Sequence, residues 1–345
     1  MNNTRIGVDL AKDVIQVCIY ARNKVLSNTE MTYQAFALWL INTKPTTIIF
    51  EACSTSNYWN QVALSLGYDA KLICPKFVSS IRKKQKTDAN DALAIVQASF
   101  VPDITFISGK SIEQQQLQSI MRLRDLATKQ KTALSNQLGA LLLEFNIRCS
   151  PKLGGLRGAI ESVLENAENE FSWALRASLK AAWDHYLMIC QSVATYDESL
   201  IKAINEHPEC KKLLKLEGVG VINAVNLYIA LGCSEIGVFA KGKDAAACIG
   251  LTPIQHSSGG KTKLGSVGKY VKNSILRSQL VVGSMAAIRM IVKRDAKTKK
   301  ERWIQELVSR RGIRCAAVAL ANKNVRTAYA MMTKGTDYKA ELLAV

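Results

Sequence analysis

The sequence predicts a mixed α/β domain followed by a mainly α-helical remainder, an α/β plus α architecture, on three observations. Strand-like and helix-like segments alternate through the first hundred residues. A helical hydrophobic period then runs for roughly ten turns from Ile112. The last third breaks into helical stretches separated by glycine-containing turns.

Thr4–Tyr20 holds two apolar runs around a polar turn, the pattern of a β-hairpin, and Lys24–Thr29 supplies a third strand. Tyr33–Asn42 spaces Phe36, Leu38, Trp39 and Leu40 as a helix does. Thr46–Phe50 (TTIIF) is β-branched and apolar, a buried strand ending at Glu51. A helix over Ser56–Leu66 and a strand over Ala70–Cys74 follow, the latter closed by Pro75. Lys76–Lys84 reads as a basic helix or loop, and Asp88–Phe100 as a helix. The resulting order βββαβαβα suits a mixed sheet.

From Ile112 to Ile147, Ile120, Ala127, Leu134 and Leu141 repeat every seven residues. A companion seam of Leu117, Arg124, Lys131, Leu138 and Phe145 is broken by two cations. That pattern predicts a long helix paired over part of its length, within the chain or across a dimer. Helices over Ala159–Asn169, Glu170–Gln191 and Val193–Asn205 complete a helical linker. Beyond Pro208, Leu214–Gly232 reads as a short helix, a turn at Gly218 and Gly220, and an apolar helix. Such a turn resembles a helix-hairpin-helix, whose small residues admit a phosphate; a tight helix–helix turn is the alternative. A helix over Ala245–Gly250, a Ser/Gly-rich loop, a helix over Val271–Lys293 and a C-terminal helical segment finish the chain. The expected domains are residues 1–105, 106–207 and 208–345.

The chain has 345 residues, 48% hydrophobic and 21% charged, enough for two or three domains with real cores. No run approaches the roughly 18–20 consecutive apolar residues that span a bilayer, and Asp9 and Asp13 interrupt what would be a signal sequence. The expected setting is the cytoplasm. Nine cysteines are scattered without a close pair, which predicts reduced, mostly buried thiols rather than zinc ligands or disulfides. The net charge of +18 is unevenly placed. Residues 1–100 carry 11 Lys+Arg against 7 Asp+Glu, residues 101–240 carry 14 against 15, and residues 241–345 carry 21 against 6. A basic final third fits a phosphate backbone. An anionic membrane is disfavoured because these cations sit among short polar turns, not on one amphipathic helix.

Four carboxylates stand out. Asp9 interrupts an apolar run, Glu51 directly follows a buried strand, and Asp88 and Asp91 lie three apart on one helical face. Singly, each is explained by a turn, an exposed strand end or a helix cap. Together they are the hard oxygen ligands that a Mg²⁺-dependent, two-metal phosphoryl-transfer site requires.

The segments GVDLAK (Gly7–Lys12), FEAC (Phe50–Cys53) and KTDANDA (Lys86–Ala92) resemble, in order, those of the DEDD-type insertion-sequence transposases, relatives of the Piv and MooV invertases. The resemblance extends through EGVGVINA (Glu217–Ala224), IGLTP (Ile249–Pro253) and HSSGGKTKLGSVGKYVKNSILR (His256–Arg277). It implies an N-terminal domain with a ribonuclease-H fold similar to the Holliday-junction resolvase RuvC, with Asp9, Glu51, Asp88 and Asp91 as a metal-binding tetrad. It also implies a nucleophilic serine that joins DNA, here Ser258 or its neighbour Ser257. Further implications are bacterial recombination of DNA at the nucleoid, guidance by a structured bridge RNA, and a homo-oligomer, dimer or tetramer. Where the family often has Ile-Ser-Lys, this chain has Val267-Gly268-Lys269.

From the residues themselves, Lys261, Lys263, Lys269 and Arg277 surround the Ser-Gly-Gly segment with cations suited to a phosphorane-like transition state. With Gly218 and Gly220 they form the expected nucleic-acid-binding set. The plain alternative for the segment is a Ser/Gly-rich turn over a basic face. Two other functions remain open at this level. A RuvC-like structure-specific endonuclease would use only the carboxylate site and water, and an architectural or RNA-chaperone protein would need neither site.

Overall fold

The computed structural model describes residues 4–83, 85–102, 104–107, 109–150, 152, 154–231, 239–268 and 274–343. They form two compact units. The first comprises Met1–Gln114, Ile229–Cys248 and Met332–Lys334, the second Gln115–Tyr228, Ile249–Met331 and Gly335–Val345.

The first unit is built on five strands: β1 (Arg5–Leu10), β2 (Ile15–Ala21), β3 (Lys24–Met31), β4 (Thr47–Glu51) and β5 (Asp69–Ile73). Their order is β3-β2-β1-β4-β5, antiparallel from β3 to β1 and parallel from β1 to β5. This is the expected mixed, ribonuclease-H-like sheet. The β2–β3 connection is a two-residue turn with Arg22 and Asn23 both at positive φ (50° and 60°), the mirror-image turn whose twist matches flanking strands.

Alternation along the strands sorts side chains to two covered faces. Ile6, Val8, Leu10, Ile48 and Phe50 join Phe36, Leu40, Trp59 and Ala63 from α1 (Tyr33–Asn42) and α2 (Ser56–Ser65) in one buried cluster. On the other face, Ile49 and Ile73 pack with Val78 of α3 (Pro75–Ile81) and with Ala94, Ile95 and Ala98 of α4 (Asp88–Ser99). The sheet is therefore a filled middle layer. Of the stretch read as a basic helix or loop, Lys76–Ile81 belongs to α3, which Pro75 opens at a position where the missing N–H costs nothing; Arg82 and Lys83 follow the helix, and Lys84 lies outside the described residues.

The second unit is largely helical. α5 (Ile112–Glu144) meets α6 (Gly155–Glu165) and α7 (Trp173–Glu206) in a cluster of Leu138, Leu142, Ile160, Val163, Leu179 and Trp183. One of the cations breaking the α5 seam is accounted for inside the chain, since the Arg124 guanidinium pairs with Asp197 of α7. Two helices expected over Glu170–Gln191 and Val193–Asn205 are one helix, α7, because no glycine or proline lies between Trp173 and Glu206 to break it. The helix expected over Ala159–Asn169 begins and ends earlier. Arg176 of α7 accounts for its end by donating to the carbonyl oxygens of Val163, Leu164, Asn166 and Asn169.

After α8 (Pro208–Lys212), a 3₁₀ turn at Leu213–Lys215 leads to α9 (Val221–Leu231), with α10 (Gly242–Cys248) beyond it. The Ser/Gly-rich loop is instead a β-hairpin, β6 (Pro253–Ser258) paired with β7 (Lys261–Val267). Gly259 and Gly260, at φ 55° and 76°, make the two-residue turn that a hairpin needs. α11 (Ser274–Ile291) and α12 (Lys299–Lys334) follow. Residues 271–273, read as the start of the α11 helix, lie outside the described residues. By length and composition α11 is apolar enough to cross a membrane. It carries Arg277 and Arg289, however, and Ile288 and Ile291 pack with Ile304, Ala316 and Leu320 of α12.

The buried Lys300 pairs with the half-buried Glu217 in this unit (2.5 Å). The Lys300 ammonium also donates to Asn324 (2.9 Å), and the Tyr338 hydroxyl donates to Glu217 (2.8 Å). The described cysteines are unbridged, as expected, but only Cys18 and Cys210 are buried; Cys53, Cys248 and Cys315 are exposed. Sulfur-bearing side chains here follow the position of their elements, not a common core.

Candidate active site

Asp9 and Glu51 stand at the carboxyl ends of neighbouring parallel strands. The register pairs Val8 with Phe50, so its next step sets Asp9 beside Glu51. Both alternate with buried residues of the α1/α2 cluster and therefore project to the α4 face. The carboxyl ends of parallel strands are where ligands of open α/β sheets characteristically sit.

Gly7 brings α4 close to that point. A Cβ at Gly7 would lie 2.5 Å from the Ala92 carbonyl oxygen and 2.9 Å from the Val96 nitrogen, so helix backbone rests directly on β1. The Asn28 amide of β3 also donates to the Ala89 carbonyl (2.9 Å) and accepts from Gln16 (2.8 Å), tying the first turn of α4 to the sheet. Gln16 is the cross-strand partner of Asp9. Thr87 caps α4 by accepting from the Asn90 N–H, so the cap does not engage the Asp88 carboxylate.

The four carboxylates interact. Burial, then the charges of Asp91 and Asp88, push Asp9 up to about 6 from the usual 3.8. Burial, then Asp9 and Asp91, likewise push Glu51 above its ordinary value. Lys86 opposes both shifts, and Arg82 opposes that of Glu51. Arg82 donates to the buried Asp91 carboxylate at 2.6 Å. Arg82 and Lys86 were not singled out from sequence, although the RKKQK run beside TDAND was a usable signal.

Among the described residues, no three acidic, His or Cys side chains are arranged to hold one metal ion. The donor chemistry nevertheless suits a hard divalent cation: these are carboxylate oxygens, those of Asp9 and Glu51 resist ionising, and Arg82 and Lys86 oppose that resistance.

Ser258 ends β6 in the second unit and is exposed. It pairs with Lys261, Ser257 with Thr262, and His256 with Lys263. Directly paired residues share a face, as do residues two apart on a strand. Ser258 therefore shares its face with Lys261, Lys263 and His256, while Ser257 faces the opposite way with Thr262. This distinction between the two serines needs the hairpin register, and His256 joined the set only through it.

The remaining expected nucleic-acid contacts divide. Lys269 lies outside the described residues. The Arg277 Nε donates to the Gly250 carbonyl at 3.1 Å. A Cβ at Gly268 would fall 2.5 Å from that nitrogen, so the serine often found at this point in the family would collide with Arg277 as placed here. Gly218, at φ 78°, packs against α11, its virtual Cβ falling 2.5 Å from the Gly283 oxygen. That close approach accounts for the glycine by packing. Gly220 is exposed with open space around it.

Comparison with known proteins agrees with the resemblance. Residues 6–147 match the transposase family model DEDD_Tnp_IS110, and residues 210–301 match that of the IS116/IS110/IS902 family of transposases. The transposase for insertion sequence element IS1111A of Coxiella burnetii is 30% identical over 335 residues, spanning 97% of this chain and 91% of its own. A probable family 20 transposase of Pseudomonas aeruginosa is 32% identical over 342 residues, spanning 98% and 99%. The pilin gene-inverting protein of Moraxella bovis is more distant, 23% identical over 330 residues, 87% of this chain and 91% of its own. With its mixed sheet, its carboxylates at the ends of β1 and β4 and in the first turn of α4, and near-full-length similarity to two transposases, the chain belongs to the IS116/IS110/IS902 family of transposases.

Proposed function

We propose that this transposase excises and inserts its element through attack of the Ser258 hydroxyl on a DNA phosphodiester. The Oγ–P bond forms as one P–O bond of the strand breaks, giving a phosphoserine link and releasing a DNA hydroxyl; the serine proton leaves to a base. What supports this reading most is the placing of Asp9 beside Glu51 at the carboxyl ends of β1 and β4, where burial and then neighbouring carboxylates raise both, Asp9 through Asp91 and Asp88 and Glu51 through Asp9 and Asp91, a repulsion that a bound cation would relieve.

Asp9, Glu51, Asp88 and Asp91 would hold Mg²⁺, with Asp91 exchanging Arg82 for the ion. When bound, Mg²⁺ supplies stabilisation of the negative charge that develops on the phosphoryl oxygens. Lys261 and Lys263, on the face of Ser258, orient the phosphate and offset its charge. Residues 1–105 act as the carboxylate domain, residues 106–207 as the linker and residues 208–345 as the serine domain. The working form is a homo-oligomer, dimer or tetramer, in which the carboxylates of one subunit complete the serine site of another. Target choice is delegated to a bridge RNA, in keeping with a strongly basic final third and no clear base-reading motif.

The test is the formation of excised-circle junctions in cells from a plasmid carrying the gene with its flanking DNA. The parent is compared with Ser258→Ala at matched protein levels. Circles from the parent and none from the variant support the covalent route. Equal circles from both would remove Ser258 as nucleophile and favour a water-driven, RuvC-like reaction at the carboxylates.

A further inference from the structure

α12 presents seven consecutive exposed residues, Ser309–Cys315. A continuous helix packed on a core does not do this, because its inward positions return every three or four residues. The cause is Gly312, at φ 77° and ψ 167°, a backbone conformation that residues with side chains avoid. The helix kinks there. Upstream, Ile304 is buried, and burial resumes at Ala316 and Ala317.

Arg310, Arg311 and Arg314 flank this glycine. The Arg310 Nε reaches only the Glu306 carbonyl, at 3.4 Å. No carboxylate lies within ion-pair range of any of the three among the described residues. Exposed cations on other helices of this unit behave differently, Arg157 pairing with Glu161 and Lys180 with Asp184 one turn away. Ordinary solvated arginines with an acid at i−4, as Arg310 has in Glu306, would be expected to pair in the same way.

Beside this corner lies a groove of about 520 Å³ whose lining includes Lys293, Arg294, Asp295, Gln305 and Ser309. The end of α11 contributes to its wall, and bare helix C-terminal carbonyls would repel an anion. The last of them is covered: the Gln305 amide donates to the carbonyls of Ile291 (3.0 Å) and, beyond the helix, Arg294 (2.7 Å). Glu301 is likewise engaged, by Arg294 and by the Lys297 N–H. Asp295 and the exposed Glu306 are the acidic groups left near the cluster.

We infer that Arg310, Arg311 and Arg314, with Lys293 on the groove, form an anchor for a phosphodiester backbone, on elements other than the hairpin that carries Ser258. Guanidinium groups bind phosphate oxygens in pairs, and a kinked, exposed corner presents three of them with none ion-paired among the described residues. The inference rests on the reading of the chain as a nucleic-acid recombinase and adds a site to it. The backbone belongs either to the DNA strands being rearranged or to a guide RNA.

The full-length parent and the triple variant Arg310→Ala/Arg311→Ala/Arg314→Ala are titrated with a short duplex DNA and with a single-stranded RNA of equal length, over a salt series. Each phosphate contact contributes about 0.9 to the slope of log K against log [salt] on duplex DNA and about 0.7 on a single strand. The variant's slope is therefore expected to fall by about 2.7 on DNA, or about 2 on RNA, with binding weaker on the order of a hundredfold at 0.1 M salt. A fall on one probe alone identifies that backbone as the ligand, and a fall on both identifies a shared anchor. The triple lysine variant keeps most of the parent slope if charge is what matters, and equal melting temperatures exclude misfolding. Unchanged slopes on both probes, with normal parent binding, would overturn the anchor alone. A parent that binds neither probe would sink the recombinase reading and the anchor together.

Discussion

Replacing Gly7 with alanine tests the contact that brings α4 to β1. The added methyl would sit 2.4 Å from the Val96 Cγ2, 2.5 Å from the Ala92 oxygen and 2.9 Å from the Val96 nitrogen. Rotation of Val96 relieves only the first of these overlaps. The other two involve helix backbone, so α4 must retreat from the strand by roughly 1 Å to restore ordinary contact of about 3.5 Å. Overpacking of this kind costs about 1–3 kcal/mol, and backbone on both sides places Gly7→Ala at about 2–3 kcal/mol. The retreat also carries Asp88 and Asp91 away from Asp9 and Glu51. A displacement near 1 Å at a reacting centre lowers rates on the order of a hundredfold. Urea unfolding reads the first effect, and excised-circle counts at matched protein levels read the second. A variant within about 0.5 kcal/mol of the parent that forms circles normally would show that α4 does not bear on β1 at Gly7.

Three further outcomes follow from charge and burial. In metal-free buffer the folded chain holds the Asp9 proton to about pH 6, whereas the unfolded chain releases it near 3.8. The folded state thus binds more protons across that interval, so stability declines as pH rises from about 4 to above 6. Asp9→Asn flattens this slope in a series of melts, and a slope of equal size in that variant would refute the assignment. Arg82→Ala strips the partner from the buried Asp91 and costs about 2–4 kcal/mol without metal. Calorimetric melts should show that loss shrinking when millimolar Mg²⁺ replaces the guanidinium, and an equal loss with and without Mg²⁺ would count against a cation at Asp91. In the second unit, Lys300→Met leaves the half-buried Glu217 carboxylate with Tyr338 alone and costs about 1–3 kcal/mol. Adding Glu217→Gln recovers much of it, which a double-mutant cycle in urea measures.

Local pattern was sufficient wherever one period governed one element. The strands β1 to β5 and helices α1, α2, α4 and α5 were legible because apolar runs or helical spacing, bounded by turn residues, governed each, and in α5 the seam through Ile120 and Leu134 kept the period where Arg124 and Lys131 broke its companion. The β6–β7 hairpin was not. Ser257–Lys261 is rich in polar and flexible residues, and only pairing with β7 gives the segment its extended form. α7 was read as two helices, although its sequence holds no glycine or proline to break it.

The sequence by itself determined the identities at stake: a carboxylate at the end of each central parallel strand, two at the start of α4, a serine before two glycines, and a cationic last third. Those are properties of residue type and short spacing, and they are what the family resemblance rests on. Only the tertiary structure decided which of them act on one another. Asp9 and Glu51 lie 42 positions apart in the chain and become neighbours through parallel pairing. Gly7 sets how near α4 comes, the hairpin register puts Lys261 and Lys263 with Ser258 and not with Ser257, and Gly312 turns three arginines outward together. Electrostatic coupling falls with distance through space, not along the chain, so the charge of each site became readable once the sheet, the hairpin and the kink had fixed those distances.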